Sequence, residues 1–239
     1  MKIYVFDMDG TLTPARLPMT EEFKRDFIPF LQKNICYIAT GSDYKKIDEQ
    51  MSQDVIDEFT GIYASMGNVL YKKGELVYKK EIEYDKNLLN DLENFRKTTK
   101  YPNQLFGNYI EKRTGMINFS VIGRDCTYSE REKYTAWDKE NGERKNIQEV
   151  LSAKYPDYDF EAGGNISIDI IPKGCGKGQI AHHLRKQYPD ATIIFTGDRT
   201  YKGGNDYALA HELSLMENTK VVQVENPDET MKFLRSEEN

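Results

Sequence analysis

Two carboxylates leave an apolar run near the N-terminus. Asp7-Met8-Asp9-Gly10-Thr11-Leu12-Thr13 directly follows the β-rich stretch Lys2-Ile3-Tyr4-Val5-Phe6. Carboxylates two residues apart at the end of a buried strand can face one site. A hard cation such as Mg²⁺ takes carboxylate oxygens and keeps several waters. One carboxylate can also attack phosphorus to give an aspartyl-phosphate. The other can protonate the leaving oxygen and then activate the next nucleophile. Gly10 permits a sharp turn, and exposed N–H groups there can hold phosphate oxygens. The plainer readings are an Asp-Gly turn or a calcium loop. A calcium loop needs Gly at its sixth position and Glu at its twelfth, where this chain has Leu12 and Pro18.

Two later segments extend the set. Gly197-Asp198, followed by Gly203-Gly204-Asn205-Asp206, comes after an apolar run over 192–195, and another carboxylate at a neighbouring strand end would complete a metal site. Lys177 follows Lys173-Gly174-Cys175-Gly176 at the start of a helical pattern, where an ammonium would offset phosphate charge. Singly, Lys177 reads as one solvated lysine among many and Asn205-Asp206 as a loop turn. Order and spacing carry the case.

These residues need elements to hold them. The spacing predicts a strand over 2–6, then a helix after the cap residue Thr20, with Glu21 and Glu22 in its first turn and Phe23, Phe27 and Leu31 on one face. A second strand is expected over 35–39, ended by Thr40-Gly41-Ser42-Asp43, then a helix over about 43–53 and a third strand over 62–64. Apolar runs either side of Lys72-Lys73-Gly74 read as a hairpin. Alternating strands and helices imply a parallel sheet, whose ligands bind beyond the carboxyl ends of its strands. Asp7 and Thr40 both fall at such ends.

The pattern changes near residue 82. A helix is expected over 87–98, antiparallel strands over 109–112 and 116–122, a helix opened by a capping box at Ser129-Glu130-Arg131-Glu132, and a strand over 166–171. The strand–helix alternation resumes at Lys177, with a helix through Ile180 and Leu184. A discontinuous core over 1–81 and 173–239 is therefore expected, with 82–172 inserted as an α+β cap.

The chain has 239 residues and a net charge of −6, which argues against a general nucleic-acid binder, since that would need a basic face, but leaves room for a local basic pocket for a phosphorylated ligand. No run approaches the roughly 20 apolar residues of a membrane span, and the N-terminal run reads as a strand rather than a signal peptide. Cys36, Cys126 and Cys175 form no CxxC pair, which argues against a zinc site or a disulfide framework and suits a reducing cytoplasm. His182 and His183 have no ligand cluster in sequence and are assigned no metal. Trp137 reads as packing or interface, and Cys175 as a loop residue.

As an ordered set, Asp7 to Thr11, Thr40 or Ser42, Lys177, and Asp198 with Asn205-Asp206 resembles the haloacid dehalogenase superfamily. A closer resemblance is to the eukaryotic-type α-phosphomannomutase family and covers nearly the whole chain. It rests on the 6–13 segment with Arg16; Gly41-Ser42-Asp43 with Glu49-Gln50; Arg113-Thr114-Gly115-Met116-Ile117-Asn118 running to Ile122-Gly123-Arg124; the 129–131 segment; Gly163-Gly164-Asn165-Ile166-Ser167-Ile168-Asp169; and Gly197-Asp198-Arg199-Thr200 to Asp206. The resemblance implies a Rossmann-like α/β core with an inserted α+β cap. It implies Asp7 as the phosphorylated nucleophile and Asp9 as the general acid/base, also meeting the metal through its backbone carbonyl. Asp198 would be the remaining protein ligand of Mg²⁺, and Lys177 the motif lysine. Thr40, Ser42 and Asn205 would lie on the substrate side, Arg16, Arg113, Arg124 and Arg131 would contact substrate, and Ser167 and Asp169 would hold the sugar phosphate. A hexose 1,6-bisphosphate activator and a homodimer through the cap are implied as well. The chain departs from the family at Cys175-Gly176, where Trp-Asp is usual, at Thr40, where Gly is usual, and at Ser65-Met66-Gly67-Asn68.

A mutase must hold a sugar with phosphate at either end, and guanidinium groups grip phosphate through paired hydrogen bonds. The expected activity is interconversion of mannose 6-phosphate and mannose 1-phosphate through an aspartyl-phosphate and a hexose 1,6-bisphosphate. The alternatives are a Mg²⁺-dependent sugar-phosphate phosphatase, with water replacing the second sugar hydroxyl, and a non-enzymatic sugar-phosphate binding module.

Overall fold

The computed structural model describes residues 1–237. The chain forms two compact units, Met1–Lys80 with Gly174–Asn239, and Glu81–Lys173. Among the described residues no helix is long and apolar enough to cross a membrane.

The first stretch runs β1 (Lys2–Phe6), α1 (Glu21–Lys33), β2 (Ile35–Ala39), α2 (Tyr44–Gln50), α3 (Gln53–Ile56), β3 (Gly61–Ala64), β4 (Val69–Lys72) and β5 (Glu75–Lys79). Thr20 caps α1 by accepting from the Phe23 N–H, and the helix buries Phe23, Phe27, Phe30 and Leu31. Lys73 and Gly74 both have positive φ between β4 and β5, the twist that two-residue hairpins favour. The single helix expected over 43–53 is broken. The Gln50 carbonyl accepts from the Met19 N–H at 2.8 Å, and Met51 is extended, so the chain leaves the helix and restarts at Gln53.

The second unit contains α4 (Lys86–Lys97), β6 (Ile110–Arg113), β7 (Met116–Phe119), α5 (Tyr128–Asn141), α6 (Glu143–Lys154), β8 (Tyr158–Gly163) and β9 (Ser167–Pro172). Its four strands pair antiparallel in the order β6-β7-β9-β8. Leu88, Leu92, Ile117, Phe119, Tyr134, Ile147, Leu151, Ile168 and Ile170 form its core, with Trp137 packed against it. The capping box of α5 lies two residues upstream of the expected one. Thr127 accepts from the Glu130 N–H while the Glu130 carboxylate takes the Thr127 N–H. β7 stops at Phe119 rather than 122, because a turn follows in which the Gly123 N–H donates to the Ser120 carbonyl at 3.0 Å.

The chain then adds α7 (Gln179–Gln187), β10 (Thr192–Gly197), α8 (Tyr207–Ser214), β11 (Thr219–Gln223) and α9 (Pro227–Glu237) to the first unit. The resulting seven-stranded sheet has the order β11-β10-β1-β2-β3-β4-β5. It is parallel from β11 to β3 and antiparallel across β4 and β5. Side chains of β1 alternate, so Tyr4 and Phe6 join the cluster with α1 while Ile3 and Val5 join the one with α7 and α8. Burial on both faces is the mark of a parallel sheet covered by helices. The fold is an α/β, Rossmann-like core interrupted by an α+β unit.

Candidate active site

β1 and β10 lie side by side with Phe6 opposite Thr196, so Asp7 and Asp198 leave neighbouring strands at the same end. The Asp7 N–H donates to the Thr196 carbonyl at 2.9 Å, fixing where the carboxylate starts. Gly10 has φ of +82°, and a Cβ there would sit 2.6 Å from Asp198 Oδ2. A Cβ on Gly197 would sit 2.6 Å from Asp206 Oδ2. Both glycines thus make room for a carboxylate, and Gly10 also turns the chain.

Asp7, Asp198 and Asp206 bring carboxylate oxygens within 4.8 Å of one another. Lys177 Nζ reaches Asp7 Oδ1 at 2.6 Å and Asp206 Oδ1 at 2.5 Å, and all three side chains are nearly inaccessible to water. Burial opposes the charge on Lys177, but Asp206 and Asp7 outweigh it and hold the ammonium above its ordinary value. Burial pushes the Asp7 carboxyl up to about 7, against the pull of Lys177 and with the help of Asp206. Burial also raises Asp198, with Asp206 adding to it. Asp7 Oδ2 is buried and has no hydrogen-bond partner within the protein. An orphaned carboxylate oxygen beside two more carboxylates is a donor set that fits a hard divalent cation.

Asp9 stands apart from that cluster. Its Oδ1 accepts from the Arg16 N–H at 2.7 Å and from Gln50 Nε2 at 3.0 Å. Arg16 itself is exposed and left-handed, with φ of +63°. Thr40, at the end of β2, is buried, and its Oγ1 accepts from the Ser42 N–H at 3.1 Å. Asn205 is exposed, whereas the next residue, Asp206, is buried beside Lys177.

The second unit gathers a different set. Arg113 donates to Glu111 at 2.5 Å and Arg124 Nε to the same carboxylate at 2.8 Å. Arg124 also donates to Asn118 Oδ1 at 2.7 Å, and Asn118 Nδ2 donates to Asp169 Oδ1 at 2.6 Å. Arg131 donates to the Arg124 carbonyl at 3.1 Å. A Cβ on Gly163 would lie 2.7 Å from Asp169 Oδ1, so this glycine admits the carboxylate. Ser167 Oγ is buried without a partner, two residues before Asp169 on the same strand.

The sequence places Asp206, Asn118 and Gln50 within motifs without assigning them a role, and Glu111 it does not single out. Asn205 is expected on the substrate side, whereas its neighbour Asp206 is the residue that joins the buried carboxylates. Glu111, Asn118 and Gln50 are ordinary polar residues whose roles emerge only from their partners. Of the histidines, His182 pairs with Glu212 at 2.9 Å and His183 with the Tyr78 hydroxyl at 3.1 Å.

The family model for eukaryotic phosphomannomutase matches residues 24–237. That span begins after the Asp7 segment. The chain is 37% identical over 238 residues to a phosphomannomutase of Dendrobium officinale, covering 95% of this chain and 90% of the relative. To a phosphomannomutase of Saccharomyces cerevisiae it is 36% identical over 241 residues, covering 97% and 92%. Among solved structures it resembles a Streptococcus mutans protein with a TM-score of 0.64 at 15% identity, covering 98% of each chain. A haloacid dehalogenase-like hydrolase from Bacteroides thetaiotaomicron gives a TM-score of 0.62 at 12% identity, again covering 98% of each. These structures show the haloacid dehalogenase-like fold.

Proposed function

Because the chain belongs to the eukaryotic phosphomannomutase family, we propose that it is an enzyme interconverting mannose 6-phosphate and mannose 1-phosphate. The observation that carries the chemistry is the buried Lys177 bridging Asp7 and Asp206, with Asp198 beside them.

Asp7 is the nucleophile. One of its oxygens bonds to phosphorus while the bond from phosphorus to the sugar oxygen breaks and its electron pair leaves with that oxygen. Asp9 gives the leaving oxygen a proton and later removes one from the hydroxyl that takes the phosphoryl group back. Lys177 neutralises charge between Asp7 and Asp206, so that the buried carboxylates can lie together. Asp7, Asp198 and Asp206 fit Mg²⁺, with the Asp9 backbone carbonyl as a further ligand. When bound, the ion offsets the negative charge of the phosphoryl group. Thr40, Ser42, Arg16 and Asn205 belong to the substrate side of the core.

The second unit recognises the sugar phosphate. Arg113 and Arg124 supply guanidiniums held by Glu111, with Asn118 tying Arg124 to Asp169; Arg131 adds a third, held by the Arg124 carbonyl; and Ser167 offers an unspent hydroxyl. A hexose 1,6-bisphosphate serves as activator by phosphorylating Asp7. Homodimerisation through the second unit is supported by the family resemblance alone, and light scattering tests it. A cytoplasmic setting is supported by three free cysteines.

The test is conversion of mannose 1-phosphate to the 6-phosphate with Mg²⁺ and catalytic bisphosphate. Isomerisation supports the reading. Net phosphate release without isomerisation overturns it and favours a phosphatase.

A further inference from the structure

Asp9 has one carboxylate oxygen tied and one left over. Both hydrogen bonds it accepts, from the Arg16 N–H and from Gln50 Nε2, fall on Oδ1. We propose that Gln50 is a positioning residue whose side-chain amide clamps Asp9 Oδ1 and leaves Oδ2 to carry the transferred proton. This rests on the reading of Asp9 as the proton donor.

The surroundings of Gln50 make that clamp rigid. Gln50 is 4% exposed. Its Nε2 donates not only to Asp9 but to Thr13 Oγ1 at 3.3 Å and the Leu17 carbonyl at 3.2 Å. The Thr13 hydroxyl spends its own hydrogen on the Met8 carbonyl, so toward Gln50 it acts as an acceptor. Three acceptors therefore surround one end of the amide. A flipped amide would turn its oxygen onto a carboxylate, a carbonyl and a hydroxyl oxygen, and gain no donor among them. Gln50 Oε1 is buried and has no partner. The amide thus sits in an orientation that satisfies its donor end and not its acceptor end. An unsatisfied buried acceptor is unfavourable, and such groups mark places where another demand has set the geometry. Here that demand is the orientation of Asp9.

The backbone serves the same end. The Gln50 carbonyl is bound by the Met19 N–H, and Met51 is extended. The break after α2 therefore fixes the residue that presents the amide, and it ties the loop after Asp9 to the same point.

The role separates two kinds of phosphoryl donor. A sugar oxygen leaves slowly unless Asp9 protonates it as the phosphorus–oxygen bond breaks. A nitrophenolate accepts the bond's electron pair without a proton. In Gln50→Met, kcat for mannose 1-phosphate isomerisation should fall by about tenfold or more with KM little changed, since general-acid catalysis contributes at least that much. First-turnover release of p-nitrophenolate from p-nitrophenyl phosphate should stay within about threefold of wild type, because that departure needs no acid. An unchanged sugar-phosphate rate in Gln50→Met, or an equal loss with both donors, overturns the proposal. If the wild-type protein releases phosphate without isomerising, the mutase reading fails, but the comparison stands, because the departing sugar oxygen still needs its proton.

Should Gln50→Met fail to fold, the Gln50 side-chain amide resonance in the intact protein carries the test. A hydrogen bond to the Asp9 carboxylate places one Nε2 proton downfield, and Asp9→Ala should move it upfield. A resonance that does not respond to Asp9→Ala overturns the proposal.

Discussion

Lys177 and Asp7 stand 170 residues apart in the chain and meet at 2.6 Å, each with a side chain only 3% exposed. The loop after the second unit and the first strand of the core are therefore joined by a buried ion pair. That pair is shared with Asp206, so neither carboxylate has Lys177 to itself.

Removing the ammonium strands two buried carboxylates. Lys177→Met should destabilise the protein by about 3–5 kcal/mol, the usual cost of breaking a buried pair from one side. It should also abolish phosphoryl transfer. Denaturant unfolding and the mutase assay measure the two effects separately. Wild-type stability in Lys177→Met would contradict this account of the ion pair.

Asn118 links Arg124 to Asp169 through both ends of its amide. Asn118→Leu keeps the volume and loses both bonds. A hydrogen bond to a charged group contributes about 1.5–3 kcal/mol, so KM for mannose 1-phosphate should rise roughly tenfold or more if Arg124 loses its aim. The change should fall on KM rather than kcat, since the role proposed for the second unit is to bind and not to transfer.

The turn after β3 stores strain. Ser65 and Met66 are both left-handed, with φ of +48° and +60°, and only Gly67 after them tolerates that region freely. Asn visits the left-handed region more readily than Met. Met66→Asn should therefore stabilise the core by about 1 kcal/mol, seen as a raised unfolding midpoint. A lowered midpoint would mean that Met66 packing outweighs the backbone term.

Glu237 anchors α9 by accepting from Lys2 at 2.7 Å and from Lys220 at 2.9 Å. The hydrogen bond from Lys2, aided by Lys220, holds its carboxyl down at about 2, below the ordinary 4.5. A depressed carboxyl contributes stability that is complete above its unfolded value and drains away as pH falls toward the folded one. Both lysines are half-exposed, so the contribution should be roughly 1 kcal/mol after screening. Glu237→Gln should lose that amount near neutral pH, and the gap to wild type should close between pH 4.5 and about 2. Unfolding midpoints across that range test it.

Much of the core could be read from the chain because its local signals agree with one another. Thr20 caps α1, Lys73-Gly74 turns the hairpin, and the alternating apolar residues of β1 serve two faces of one sheet. Legibility failed where two local signals compete. Thr127 and Ser129 each have Glu three residues on, and only the packed helix shows which box closes. The break in α2 is a tertiary event, since Met19 takes the Gln50 carbonyl from 31 positions away in sequence. β8 hides because its exposed positions are charged, although Tyr158 and Phe160 alternate inward. α6 hides behind Gly142, whose left-handed φ ends one helix and begins the next. In the site, the carboxylates at strand ends were legible because strand topology places them. Gln50, Asn118 and Asp206 stood within motifs, but what each does depends on side-chain partners that local sequence does not reveal.

The most direct test is to map the phosphorylated residue. The protein would be incubated with a hexose 1,6-bisphosphate, with and without a chelator, quenched in acid and analysed by peptide mass spectrometry. One phosphoryl group on the peptide bearing Asp7, labile as an acyl phosphate, lost with the chelator and absent from Asp7→Asn, is the expected result. A phosphoryl group on another residue, or turnover that survives in Asp7→Asn, would contradict it.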